Sequence, residues 1–348
     1  MHKRLLMNVS KIIAHGAITA TLLTTSISQV LAEEEQYVWR VTTHLPMASP
    51  TWEHSLVKLK NTLEERTDGR LVLDLYPADS LFGATELFNA VRRGVIPMAL
   101  TSPAYLTDQL ETAGIAFGLP GAFDEVWQAA HYFKNLGFEE IIREEAAGYG
   151  LYYASDKVYP YEMFSRVEID SLETFEGMRI RVAGVPQTFL TNVGAAASFI
   201  PGTELYQALA TGTFDAGVWG AVQEASNMGF YEVASYRVQD PILIGALEAY
   251  IINEDAIERL PDDIQEILKD TLEDHFWSTT IDHMYREEVA LREIESSQNV
   301  TSISLPDDVR EKMEVEADNI WKLEENKGDS ASAAIEMLRG FRNDISKN

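Results

Sequence analysis

The fold of this chain is indicated most clearly by residues 175–236, which read FEGMRIRVAGVPQTFLTNVGAAASFIPGTELYQALATGTFDAGVWGAVQEASNMGFYEVASY. From Met178 to Ala183 apolar and basic residues alternate, which predicts a strand with one face in the core. Gly184 interrupts the alternation, and a short helix follows, with Pro186 near its start and Gly194 past its end. A strand that leads directly into a helix is typical of α/β sheets.

Arg181 lies near the carboxyl end of this predicted strand. In open α/β sheets a ligand binds just beyond that end, where the next helix also directs its free N–H groups. A guanidinium at this place is suited to a carboxylate, because its planar fork donates two parallel hydrogen bonds. The alternative is a surface arginine paired with an acid such as Glu176, and Arg179 shares the same face of the strand.

Two short segments of the chain resemble each other. Residues 85–94 read TELFNAVRRG, and residues 203–212, which begin 118 positions later, read TELYQALATG. Each predicts a helix that begins at a capping threonine and ends at a glycine, and an apolar strand follows each copy. The repetition favours two similar α/β lobes, although two short capped helices also arise by chance.

The other segments extend this plan to the whole chain. Strands at 37–43 and 71–76 flank a helix from Pro50 to about Arg66, and this order predicts a parallel sheet. The chain is expected to cross between two lobes within residues 148–163 and again within 238–242. These crossings predict two lobes, lobe I at 36–158 plus about 238–275 and lobe II at 159–237 plus about 276–348. A helix from 261 to about 296 would brace both lobes. We therefore predict an α/β fold in which each lobe is a mainly parallel sheet flanked by helices.

The first residues predict export. Lys3 and Arg4 precede a mostly apolar or small run from Ile12 to Val30, and small residues lead up to Ala32. This is the order of a signal peptide, so we predict that residues 1–32 are removed after about Ala32 and that the protein is periplasmic. The alternative is a membrane anchor, which is disfavoured because His15 and several Thr and Ser residues interrupt the run.

The composition excludes several classes of partner. The chain has 28 basic and 55 acidic residues, a formal charge of -27, and it contains no cysteine. So negative a surface opposes binding to nucleic acid and to anionic membranes, and the lack of cysteine excludes disulfides and thiol chemistry. The charge suits either a high-salt habitat or an ordinary acidic solubility surface. A rise in thermal stability between low and molar salt would favour the first.

An ordered set of segments resembles the solute receptors of tripartite ATP-independent periplasmic (TRAP) transporters. The set is TTHLPMASPTWEHS, GRLVLDLYPADSLFG, ELFNAVRRGVIPMAL, GMRIRVAG, NVGAAASFIP, ELYQALATGTFDAG, GFYEVASY and INEDAIERLPDDIQEIL. The resemblance implies a two-lobed periplasmic-binding-protein-like fold that closes around a solute. It also implies that Arg181, the second arginine of RIRV, binds the carboxylate of the solute, and that membrane transport subunits are the partner.

Further candidate ligand residues follow from their places near the predicted cleft. Trp219 follows the strand after the second repeat copy, and His44 follows the first strand, although a buried tryptophan and a hydrogen-bonded histidine are the structural alternatives. Glu248, in a returning strand, is a candidate acid or a surface ion-pair residue. The others, each weak alone because such residues also pack or cap, are Ser102, Tyr105, Tyr161, Glu162 and Asn227, with Trp52 near them.

One position departs from the pattern of the subgroup that binds 2-oxo acids. That subgroup has Glu-Trp where this chain has Val218-Trp219, and its glutamate helps to hold a cation beside the substrate. The resemblance therefore puts a carboxylate–metal–ligand arrangement in doubt. It favours a directly bound organic anion or a different polar solute, with no cofactor and no metal site. The alternative is a cation that is bound together with the solute.

The sequence offers no set of catalytic residues. GxSxG, P-loop and GxGxxG motifs are absent, and His275 and His283 lack the HExxH spacing of a zinc helix. We predict a receptor and not an enzyme: a protein that binds a small organic acid between two lobes and delivers it to TRAP membrane subunits. The alternatives are a receptor for a non-carboxylate solute, a receptor that serves signalling, and a secreted two-lobed enzyme.

Overall fold

Two mixed β-sheets organise the computed structural model, which describes residues 35–297 and 299–345. The predicted signal peptide, residues 1–32, lies outside the described residues. From Gln36 onward the chain forms one compact unit. The strands are β1 (Tyr37–Thr43), β2 (Leu71–Tyr76), β3 (Met98–Thr101), β4 (Leu151–Tyr161), β5 (Met163–Ser165), β6 (Arg179–Arg181), β7 (Ala196–Ser198), β8 (Ala216–Val218), β9 (Tyr236–Val238), β10 (Leu243–Asn253) and β11 (Thr301–Ile303).

Each sheet contains a single strand that runs against the others. The first sheet has the order β2-β1-β3-β10-β4, and β10 is antiparallel to both of its neighbours. The second has the order β11-β9-β5-β8-β6-β7, and β5 is antiparallel to both β8 and β9. The remaining strands of each sheet share one direction, as a mainly parallel α/β plan requires, and the fold prediction is confirmed.

Helices cover the sheets and connect most of the strands. They are α1 (Lys58–Arg66), α2 (Leu87–Arg92), α3 (Ala113–Phe117), α4 (Val126–Lys134), α5 (Phe138–Ala147), α6 (Leu172–Phe175), α7 (Val185–Val193), α8 (Gly202–Ala210), α9 (Val222–Asn227), α10 (Phe230–Val233), α11 (Glu254–Glu258), α12 (Asp262–Ser297), α13 (Asp307–Glu325) and α14 (Asp329–Ile345). A π-helical segment, Trp52–Val57, leads into α1. None of the helices in the described part of the chain has the length and apolar character needed to cross a membrane.

The chain passes between the two sheets in two short connections. Glu162 alone separates β4 from β5, and residues 239–242 separate β9 from β10. Strand β4 continues to Tyr161 in the first sheet, three residues beyond the predicted boundary at 158. The long helix α12 packs against α1 and β4, which belong to the first sheet and its helices, and also against α9, which follows β8 of the second sheet, so it contacts both halves of the fold as predicted. The division into two lobes at the stated residues stays a prediction.

The structure corrects two details of the sequence analysis. The threonines of the repeat are not helix caps: α8 begins after Pro201, and the hydroxyl of Thr203 donates instead to Asp79 at 3.0 Å. The helical turn before α2 begins after Gly83, whose N–H donates to Glu86. The alternation in β6 also ends early. Arg179 is exposed, but Arg181 is wholly buried, because it faces a cavity between the two sheets and not solvent.

Candidate functional site

A small cavity lies where strands of both sheets end. His44 follows β1, Ser102 follows β3, and Trp219 follows β8, so three strand ends meet there. The volume of the cavity that is open to the centres of water molecules is about 30 Å³, which corresponds to roughly two or three waters or a small solute. Its walls are His44, Leu45, Thr51, Ser102, Ala104, Tyr105, Phe117, Lys157, Tyr159, Tyr161, Arg181, Ala183, Trp219, Gly220, Glu224, Glu248 and His283.

Arg181 enters this cavity from the end of β6 and is 0% exposed. Its Nε donates to the carbonyl oxygen of Ile200 at 3.0 Å, and its Nη1 donates to that of Val218 at 3.2 Å. Its Nη2 is buried and has no hydrogen-bond partner. Among the described residues no carboxylate lies within ion-pair distance of the guanidinium, so its charge is buried without a counter-ion.

Aromatic rings hold this guanidinium in place. It lies over Trp219, with 4.7 Å from its central carbon to the ring centroid, and over Phe199 at 5.4 Å. Gly202 allows Trp219 its position, since a Cβ there would come within 2.1 Å of the indole. Tyr161 donates its hydroxyl to the carbonyl oxygen of Val218 at 2.8 Å. Burial raises the pKa of the Tyr161 hydroxyl although Arg181 opposes the rise, so this phenol stays a neutral donor.

Glu248 and His44 lie beside each other in the wall of the cavity. His44 Nε2 lies 3.4 Å from Glu248 Oε2, and the other carboxylate oxygen accepts a hydrogen bond from the hydroxyl of Tyr159 at 2.8 Å. Burial and the charge of Glu248 raise the pKa of the Tyr159 hydroxyl well above its usual range. The ring of His44 also meets the edge of Tyr105 at 5.2 Å. The orientation of both side chains is therefore fixed by their neighbours.

The structure brings together most of the predicted site residues. His44, Ser102, Tyr105, Tyr161, Arg181, Trp219 and Glu248 all line the cavity. Ser102 is partly engaged already, because its hydroxyl accepts from the N–H of Ala104 and donates to the carbonyl oxygen of Leu247, both at 3.4 Å. The contact of each residue with a solute stays a prediction.

Three other candidates lie elsewhere. Glu162 is buried between the sheets, where it binds Arg237 through two hydrogen bonds of 2.8 Å. Burial raises the pKa of its carboxyl, and Arg237 opposes the rise. Asn227 is exposed at the end of α9, and Trp52 packs half-buried against the core of the first sheet. None of these three residues is among the walls of the cavity.

The sequence analysis missed Glu224 and Lys157, which also line the cavity. Gly220 adopts a φ of +54°, and this turn between β8 and α9 brings Glu224 back over the cavity. In the sequence Glu224 resembles an ordinary acid in the first turn of a helix, which is why it was overlooked. Lys157 had a clearer signal, because it follows Asp156 inside an otherwise apolar and aromatic strand.

Lys157 belongs to a buried polar network behind the cavity. Its ammonium donates to Thr51 Oγ1 at 3.0 Å and lies 3.4 Å from Asp156 Oδ2. Asp156 also binds His275 at 3.0 Å and accepts a short hydrogen bond from Ser55. Burial alone would raise the pKa of Asp156, but Lys157, His275 and Ser55 hold it well below its usual range. Lys157 is thus neutralised by the protein.

The residues near Val218 do not fit a metal cation. The Val218 side chain has no donor atom, and its carbonyl oxygen already accepts hydrogen bonds from Tyr161 and Arg181. In residues 35–297 and 299–345, no three His, Asp or Glu side chains converge to hold a metal ion. Calcium takes six to eight oxygen ligands, which this arrangement does not supply.

The chain is similar to proteins of one kind over most of its length. Residues 42–327 match the family described as Bacterial extracellular solute-binding protein, family 7. A "Monocarboxylate 2-oxoacid-binding periplasmic protein" from Nostoc sp. (strain PCC 7120) is 24% identical over 282 residues, which are 77% of this chain and 74% of that protein.

Solved structures with the same fold have different bound solutes. A TRAP periplasmic solute binding protein from Colwellia psychrerythraea, with bound calcium and pyruvate, has a TM-score of 0.83 at 21% identity and covers 90% of this chain and 96% of that chain. One from Chromohalobacter salexigens, with bound (S)-(+)-2-amino-1-propanol, has a TM-score of 0.81 at 22% identity and covers 90% and 97%. At these identities the likeness shows the fold alone.

Proposed function

Because the chain belongs to the bacterial extracellular solute-binding proteins of family 7, we propose that it is a periplasmic receptor for a small organic acid. The acid binds in the cavity around Arg181, and the receptor delivers it to the membrane subunits of a TRAP transporter. The predicted signal peptide, cleaved after about Ala32, would take the protein to that compartment. The family is one of solute-binding proteins, and we propose no chemical step for this member.

The buried, uncompensated charge of Arg181 carries this proposal. A guanidinium has five N–H donors, and Arg181 uses only two of them on the carbonyl oxygens of Ile200 and Val218. A buried cation without a counter-ion is costly, and a carboxylate from the solute would supply the missing charge and accept the remaining N–H groups. The names of two relatives, which mention a monocarboxylate 2-oxoacid and pyruvate, support a small acid of this kind.

Closure of the two predicted lobes would complete the site. In the predicted division Arg181 and Trp219 fall in lobe II, and His44, Ser102 and Tyr105 fall in lobe I. A solute held by both sets would therefore favour the closed state. Closure would exclude water and strengthen the contact between Arg181 and the carboxylate. Small-angle X-ray scattering with and without solute measures this directly, and an unchanged radius of gyration contradicts it.

We also propose that the acid binds without a metal cation. The support is the valine at position 218 and the full use of its carbonyl oxygen by Tyr161 and Arg181. Binding should then have the same Kd in buffer with a chelator and in buffer with calcium or sodium. A Kd at least tenfold lower with one of these ions would contradict the proposal.

Isothermal titration calorimetry with a panel of small carboxylates tests the central proposal. We expect one or a few acids to bind the wild type, and we expect Arg181→Ala to weaken that binding by about 2–5 kcal/mol. Arg179→Ala is the matched control, because Arg179 lies two residues earlier on the same strand but is exposed and paired with Asp215. If Arg181→Ala binds the acid as well as the control does, Arg181 does not bind the carboxylate of the solute. If only non-acids bind, the solute class is wrong.

Loss of uptake tests delivery to a transporter. A strain that lacks the protein should no longer accumulate the acid identified by calorimetry, and the wild-type gene should restore uptake. Normal uptake together with a lost transcriptional response to the same acid would instead favour the signalling alternative.

A further inference from the structure

Two buried carboxylates face the same cavity as Arg181. Glu224, on α9, and Glu248, on β10, are each 5% exposed, and both line the cavity. Glu224 Oε1 accepts hydrogen bonds from Ser49 and Thr51, both at 2.8 Å, and Glu248 Oε1 accepts one from Tyr159. The second oxygen of each carboxylate, Oε2, is buried and has no hydrogen-bond partner. Each acid is therefore only half satisfied by the protein.

The cations near these carboxylates do not neutralise both of them. Lys157 is bound to Asp156, and Arg181 has no carboxylate within ion-pair distance. His44 lies 3.4 Å from Glu248 Oε2, which is close enough for an ion pair when the ring is protonated but does not form a hydrogen bond. Glu224 has hydroxyl donors alone. The cavity thus presents one unpaired positive group and two half-satisfied negative groups.

A monocarboxylate without an amine would pair with only one of these three unsatisfied groups. Its carboxylate would pair with Arg181, but it would add a negative charge beside Glu224 and Glu248 and leave both Oε2 atoms without a donor. A solute that also carries an ammonium group offers three N–H donors and a positive charge. Tyr159, Tyr105 and Trp219 line the same space, and aromatic faces attract ammonium groups.

We infer that the solute is a small zwitterion, such as an amino acid, whose ammonium group binds Glu224 and Glu248 while its carboxylate binds Arg181. This inference rests on the proposed function, since it adds a second group to the same solute. An ammonium fits better than a metal ion, because three donors match the two free oxygens and their neighbours, whereas calcium needs six to eight ligands. Because the cavity is small, solutes of a few carbons are the first choice for the test.

A matched set of three-carbon solutes tests the inference on the purified protein. L-Alanine carries both charged groups, pyruvate has the carboxylate without the amine, and L-alaninol has the amine without the carboxylate. The corresponding four- and five-carbon compounds complete the panel, and calorimetry is run with a chelator and again with calcium. We expect an amino acid of the panel to bind at least tenfold more tightly than its 2-oxo acid, in both buffers.

Variants then locate the ammonium site. Glu248→Gln and Glu224→Gln keep the size of each side chain but remove its charge. Each should weaken amino-acid binding at least tenfold but should not weaken 2-oxo acid binding, because it removes a negative charge from beside the bound carboxylate. Glu266→Gln is the matched control, because Glu266 is an exposed glutamate on α12, away from the cavity. It should leave every Kd unchanged. Equal circular dichroism spectra of the variants check that the fold is kept.

The outcomes separate this inference from the proposed function. If a 2-oxo acid binds more tightly than every amino acid, or if no amino acid binds with a Kd below 1 mM, the zwitterion is wrong while the acid receptor stands. If calcium is required and both Gln variants abolish its effect, the two glutamates hold a metal ion and the inference is overturned. If L-alaninol binds as tightly as L-alanine and Arg181→Ala changes neither, the carboxylate clamp of the proposed function fails.

Discussion

Two arginines are buried in the second sheet, and they differ in whether a carboxylate pairs with the guanidinium. Arg237, on β9, donates from Nε and Nη2 to both oxygens of Glu162, at 2.8 Å each. Arg181, on β6, donates only to main-chain carbonyl oxygens and has no carboxylate partner among the described residues. Both side chains are largely or wholly withdrawn from water, at 7% and 0% exposure, so the difference lies in the counter-ion.

The comparison separates a structural charge from a binding charge. A buried ion pair with all of its hydrogen bonds made is complete without any solute, and breaking it harms the folded state. A buried charge with no partner weakens the folded state until a ligand arrives, and its removal harms binding instead. The same residue type therefore has two roles, and the presence or absence of one carboxylate decides between them.

The largest expected effect comes from breaking the complete pair. Glu162→Ala leaves Arg237 buried without a counter-ion, so we expect the free energy of unfolding to fall by about 3–5 kcal/mol. Urea denaturation followed by circular dichroism measures this loss. Replacing both residues, as Glu162→Leu with Arg237→Met, should recover most of it, because no unpaired charge remains. A single variant that loses less than about 1 kcal/mol would mean that water reaches the pair.

The opposite outcome is expected for the unpaired arginine. Arg181→Met places an apolar side chain against the rings of Trp219 and Phe199 and removes the buried charge. Without solute its free energy of unfolding should be equal to that of the wild type or higher, while binding of the solute weakens by about 2–5 kcal/mol. Denaturation and calorimetry on the same preparation give both values. A loss of stability as large as that of Glu162→Ala would make Arg181 a structural residue.

A third group, Glu287 on α12, is largely withdrawn from water, with 13% of its side chain exposed, and its charge is removed by a proton instead of being paired with a counter-ion. Burial raises its pKa to about 8, and the main-chain N–H of Gln223, which donates to it at 3.0 Å, opposes the rise. His283, 3.4 Å away, cannot supply a charge near neutral pH, since burial lowers its pKa to about 3. The folded protein therefore holds a proton on Glu287 where the unfolded chain does not.

The smallest expected effect follows from that proton. A pKa raised in the folded state gives stability that is complete below the unfolded value of 4.5 and is lost as the pH rises towards 8. Between pH 6 and pH 7 the wild type should lose about 1 kcal/mol of unfolding free energy relative to Glu287→Gln, which has no proton to release. Urea denaturation of both proteins at these two pH values measures the difference. Equal slopes with pH would show that Glu287 is ionised throughout.

Much of the architecture could be read from local patterns. The strands at 37–43 and 71–76 lie where they were predicted, and the long helix is observed at Asp262–Ser297. The family match confirms the resemblance to TRAP solute receptors. The strands and helices depend on periodicity and on residues such as Gly184 and Gly194, whose effects act within a few positions of the chain.

The pairings of charged residues could not be read in the same way. Glu162 looked like a cleft residue, but Arg237, 75 positions later, takes both of its oxygens. Glu224 looked like a helix-start acid, but Ser49 and Thr51, more than 170 positions earlier, fix it over the cavity. Such pairs form only when strands and helices that are distant in the sequence pack together, and local sequence patterns do not predict these contacts.

The α/β plan and the place of Arg181 near a strand end could be read from the sequence, because hydrophobic periodicity and turn residues act locally. The family could be read from it too, but through the resemblance of an ordered set of segments. Contacts between remote segments leave Arg181 buried without a counter-ion, give one to Arg237, and bring Glu224 and Glu248 to the same cavity, and no local pattern predicts these outcomes. The physical reason is that a charge acquires its role from what surrounds it, and the surroundings of a buried charge come from remote parts of the chain.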